Sequence, residues 1–65
     1  MTDVEIREKL EAFVDEIFYG VKTVEEAKAL EKKLNDFCTN NGVTYEQRAI
    51  LRESGAGEEL YMMVS

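Results

Sequence analysis

Apolar residues recur along this chain at intervals of three and four. Ile6, Leu10, Phe13 and Ile17 fall on one line of a helix, and Val14 and Phe18 widen that stripe. The pattern predicts a helix near residues 3–19. Thr2 or Asp3 supplies the short side-chain oxygen that accepts the free amides of a first turn. Gly20 suits the left-handed conformation that ends a helix, with Val21 packing back. A second stripe comprises Val24, Ala27, Leu30, Leu34, Phe37 and Cys38, with Lys28, Lys32, Lys33 and Asp36 mostly opposite. It predicts a helix near residues 23–40, opened by Thr23 and Glu26 in a capping box and closed by Asn40, Asn41 and Gly42.

A third start is written at Thr44, with Gln47 three residues later as another capping pair. The helix that follows is short, near residues 44–54, and Gly55 and Gly57 are expected to break it. The closing "EELYMMVS" reads as a short helix or an extended arm. Helix is favoured, since Glu and Leu are good formers and Met tolerates the conformation. With no proline and few β-branched runs, the expected fold is all-α. It is a single domain over residues 1–65, a small bundle of three helices. Helices 1 and 2 form an antiparallel hairpin across "YGVK", the short third helix covers one side, and the C-terminal helix or arm follows. Leu10, Phe13, Ile17, Leu30, Leu34 and Phe37 are expected at the core's centre.

Size and composition narrow the functions. A chain of 65 residues buries only about 60% of the surface its unfolded form exposes, so its stability is marginal. It has one cysteine and no histidine, which removes an internal disulfide and the usual four-ligand zinc site. The formal charge is −6, with 14 acids against eight bases. Such a balance repels phosphate backbones and argues against direct nucleic-acid binding, while permitting a basic partner. No apolar run approaches the ~20 residues of a membrane span. The charged first residues do not resemble a signal peptide. A cytoplasmic setting is expected.

Candidate chemistry is sparse. The stretch "DFCTNNGVTYEQ" (residues 36–47) has the acids, amides and glycine of a calcium loop, but no register supplies the ligand set. Starting at Asp36, the last ligand position is Gln47; starting at Phe37, it is Arg48. A turn between helices is the better reading. Cys38 lies on an apolar stripe without a histidine to activate it, and is expected to be a packed thiol. Glu8, Glu11 and Asp15 share a helix face but lack the Glu-x-x-His pairs of bundle metal sites. Residues 44–65 have a helix-turn-helix outline, yet "EELYMMVS" offers no arginine, lysine or glutamine to base edges. No phosphate loop, nucleophile elbow or cofactor fingerprint occurs. The chain is expected to be neither an enzyme nor a holder of cofactor or metal.

What remains is an apolar surplus. Val14, Phe18, Tyr19, Tyr61, Met62 and Met63 are the candidate partner-binding residues, because tyrosine and methionine favour interface cores. Glu8, Glu11, Asp15, Glu58 and Glu59 form an acidic rim around them. The expected function is non-catalytic: a small acidic helical protein that binds a larger protein and regulates or inhibits it. A homodimer paired through Val14 and Phe18 is one form this takes. The alternative is a nucleic-acid mimic whose carboxylates block the basic groove of a DNA- or RNA-binding protein. Size, acidity and the absence of a catalytic set make the chain similar to small bacterial or phage accessory proteins.

Overall fold

Both long helices are opened by reciprocal capping boxes. A computed structural model describes residues 1–65. Thr2 Oγ1 accepts the Glu5 amide at 3.2 Å, and the Glu5 carboxylate accepts the Thr2 amide at 2.9 Å. Thr23 and Glu26 repeat the arrangement at 3.1 Å in both directions. From these starts run α1 (Asp3–Asp15) and α2 (Val24–Asn40), followed by α3 (Ala49–Glu53) and α4 (Ala56–Val64). No strand is present.

The end of α1 differs from expectation. Gly20 does not adopt a positive φ, which among the glycines is confined to Gly42 and Gly55. Instead the helix widens into a π-helical turn, Glu16–Gly20, closed by the Val21 amide donating to the Glu16 carbonyl at 3.0 Å. That i→i+5 bond satisfies the carbonyl that a left-handed glycine would otherwise serve. Val21 then turns extended and, as expected, packs back against the core.

The end of α2 settles the nature of residues 36–47. Gly42, at φ 58°, donates to the Thr39 carbonyl at 3.4 Å, and Val43 donates to Cys38 at 3.0 Å. This pair of bonds is a Schellman motif. Its customary apolar contact is supplied by Val43 and Cys38, both buried. The stretch is a helix stop followed by a turn.

Thr44 and Gln47 do form their capping pair, at 2.9 and 3.1 Å, but the regular helix begins only at Ala49. Residues 45–48 make turns, and Tyr45, Glu46 and Arg48 among them are exposed. Gly57 does not break the chain. It lies inside α4, and the break is Gly55 alone, at φ 80°. The tail is thus a fourth helix, and it belongs to the core. Ala56 and Leu60 are buried, and the backbone of α4 lies close against α2, α3 and the π turn.

The core gathers Ile6, Leu10, Ile17, Leu30, Leu34, Leu51 and Leu60 with the smaller Ala27, Cys38, Val43 and Ala56. Leu10 is its most completely enclosed large side chain. Phe13 and Phe37 sit at its edge, half-buried, rather than at its centre. The radius of gyration is 11.1 Å, against the ~11 Å that a folded chain of this length should have. No buried side-chain polar atom lacks a hydrogen-bond partner.

Candidate functional site

At the π turn that ends the first helix, neighbouring side chains divide between core and solvent. Ile17 is in the core, while Phe18 is 42% and Tyr19 81% exposed. The two rings lie 6.4 Å apart, tilted 55° to each other. Isolated exposed apolar residues are ordinary on a protein surface. Two consecutive large aromatics outside the core are a greater cost.

The second half of the site is on α4. Ala56 and Leu60, four apart, point into the core, with Met63 and Val64 half-buried beside them. Glu58, Tyr61 and Met62 follow the three- and four-residue spacing of the opposite face. Tyr61 is 70% and Met62 59% exposed. Because α4 lies beside the π turn, the two outward sets sit on neighbouring elements.

The six candidate partner-binding residues therefore divide. Phe18, Tyr19, Tyr61 and Met62 are presented to solvent. Val14 and Met63 are half-buried and packed on the core, so much of their apolar surface is already used. Of the acids, Glu8, Glu11, Asp15 and Glu58 are exposed, and Glu59 is half-buried. None of the five is in an ion pair; the one ion pair in the structure joins Lys32 to Asp36 at 2.8 Å on α2. Nowhere do three His, Cys, Asp or Glu side chains converge as metal ligands would.

Other residues are absorbed by structure. Cys38 is a buried free thiol; burial pushes its pKa up, with Arg48 pulling the other way. A raised thiol pKa is the opposite of what a nucleophile needs. Tyr45 is exposed, and the Arg52 guanidinium lies 3.7 Å over its ring. This cation–π contact ties the turn to α3, and spacing alone did not reveal it. Val4, 66% exposed on the outer side of α1, also escaped the sequence pattern, because it lies off the apolar stripe. No helix is long and apolar enough to cross a membrane. No family model, curated protein or solved structure matches the chain.

Proposed function

We propose that this chain is a non-catalytic docking module that binds a larger protein in the cytoplasm and regulates or inhibits it by occupying its surface. In this reading α1 and α2 form the antiparallel hairpin of a small bundle, and the π turn with α4 presents the contact residues. One observation carries the reading: Phe18, Tyr19, Tyr61 and Met62, four of the eight large apolar residues left exposed, sit together on two adjoining elements. Such residues provide interface anchors. Glu58 shares their face on α4, and Asp15 precedes Phe18 and Tyr19 by three and four residues. Carboxylates around an apolar centre favour a basic partner surface and speed the encounter.

Self-pairing through this patch is the less favoured form. Two copies carrying −6 each would bring like-charged rims together, which is unfavourable.

The nucleic-acid mimic stands as a second reading because 14 acidic residues share a single ion pair, leaving most carboxylates unneutralised. The two readings differ in salt response. Mimicry weakens steeply as salt rises, whereas docking through buried aromatics does not.

The test is photo-crosslinking in cells of the native host. A photoreactive residue replaces Tyr61 and, as a control, the exposed Lys28. The proposal predicts a discrete heavier adduct from position 61 that is absent from position 28 and is lost when Tyr19→Ala and Met62→Ala are added. Equal adducts from both positions, or none from position 61, would contradict it.

A further inference from the structure

We propose that the groove between α1 and α3 is a second docking site, one that takes a cationic amphipathic segment of a partner protein, with lysine or arginine side chains flanking aliphatic ones. The inference goes beyond the aromatic patch and uses none of its four exposed apolar residues; of the acids expected around that patch, only Glu11 also lines this groove. The groove's aliphatic lining is Val4 from α1 and Ala49 and Ile50 from α3. Val4 is two-thirds exposed and Ile50 half-buried, so apolar surface remains uncovered there. Glu11 joins this lining from α1, Glu53 from α3 and Glu46 from the turn before it. The side chains of these three glutamates make no hydrogen bond and no ion pair within the chain; the chain's sole ion pair lies elsewhere, on α2. A fourth carboxylate, Asp3, accepts a hydrogen bond from the Gln47 amide, which ties the start of α1 to that turn.

Arg7 is the one base lining the groove, and it too forms no ion pair. A lone guanidinium among four carboxylates leaves the groove strongly negative. The aliphatic lining decides the class of occupant. A simple cation would use only the carboxylates and leave Val4 and Ile50 in water. A neutral apolar peptide would desolvate unpaired glutamates at a cost. A second copy of this chain is disfavoured by its own negative charge. A segment with alternating cationic and aliphatic side chains satisfies both parts of the lining, and helix-in-groove docking is a recurrent way for such segments to bind.

The test is a backbone-amide NMR titration of the full chain with two probe peptides. One is an amphipathic helix of lysine and leucine; the other is an equally long, equally charged lysine–serine peptide. The proposal predicts saturable shifts concentrated on residues 3–11 and 46–53 with the lysine–leucine peptide, and affinity at least about tenfold weaker for lysine–serine. The pair Glu46→Lys and Glu53→Lys should weaken lysine–leucine binding by about tenfold or more, whereas Glu58→Lys on the aromatic patch should change it by less than about twofold. Val4→Ser, at an exposed position, removes aliphatic surface without changing the charge and should weaken binding with the circular dichroism spectrum unchanged. Absence of saturable binding would overturn the proposal. So would shifts spread evenly over every acidic surface, equal affinity for both peptides, or equal effects of the groove and patch reversals. None of these outcomes bears on the patch, whose own crosslinking test reads different residues.

Discussion

The rings of Phe13 on α1 and Phe37 on α2 meet with centroids 5.7 Å apart and planes tilted by 53°. This is a favoured aromatic geometry, worth about 0.5–1.5 kcal/mol beyond the area it buries. It is also a direct side-chain link between the two long helices at the rim of the core. A double-mutant cycle with Phe13→Ala and Phe37→Ala should return a coupling energy of that size. Each single change should cost less than Leu10→Ala or Leu34→Ala, for which about 2–5 kcal/mol is expected in a buried position. Urea denaturation of the four variants checks the order. A coupling near zero would show that the rings do not pack.

Three glycines should respond to alanine with different signs. Gly42 and Gly55 hold φ of 58° and 80°, and the space a Cβ would occupy at each is open. The penalty there is conformational alone, about 1–2 kcal/mol each. Gly57 has ordinary helical φ, and a Cβ there meets the Leu51 carbonyl oxygen at a comfortable 3.7 Å. Gly57→Ala should therefore stabilise by about 0.4–1 kcal/mol. Thermal melting distinguishes the three directly.

Stability should depend on pH through Glu5. Backbone and side-chain hydrogen bonds with Thr2 hold its carboxyl pKa below the ordinary value of 4.5. Because the folded value is the lower one, the unfolded chain takes up the proton first as pH falls. The contribution is whole above the ordinary carboxylate range and fades as pH drops through it to the folded pKa. Glu5→Gln should therefore destabilise at neutral pH and be indistinguishable from wild type in strong acid, as read by denaturant midpoints. A difference that persists unchanged in acid would remove the charge from the explanation.

Much of this fold was legible because its signals are local. The capping pairs Thr2–Glu5, Thr23–Glu26 and Thr44–Gln47 all form, and the two apolar stripes supply most of the core. The misreadings concern features that neighbours decide. The π turn at residues 16–20 leaves no mark in a period of 3.6, since its i→i+5 bonding depends on how α4 and Val21 pack beside it. Gly57 looked like Gly55 in composition, and only the backbone angle separates a helix start from a helix interior. Val14 and Met63 were grouped with Phe18 and Met62 by type, yet the first two pack on the core and the second two do not. Which side of a short helix is covered depends on where the fourth segment docks, and that is not local information.

The tail supplies an internal comparison. Met63 is half-buried against the core, so Met63→Ala should lower the melting temperature, at a cost of about 1–2 kcal/mol for a partly buried side chain. Tyr61 is 70% exposed, and Tyr61→Ala should leave stability within about 0.5 kcal/mol of wild type. Equal losses would place Tyr61 in the core and remove it from the candidate interface.

The central claim, docking through Phe18, Tyr19, Tyr61 and Met62, is tested most directly by calorimetric titration of the crosslinked partner, once identified, with the Tyr19→Ala, Tyr61→Ala double variant. The account predicts a melting temperature close to wild type and a loss of at least about 2 kcal/mol in binding, roughly thirtyfold in affinity. Raised salt should slow association of the wild-type protein more than it speeds dissociation. Unchanged affinity in the double variant, with both tyrosines removed and the fold intact, would contradict the claim.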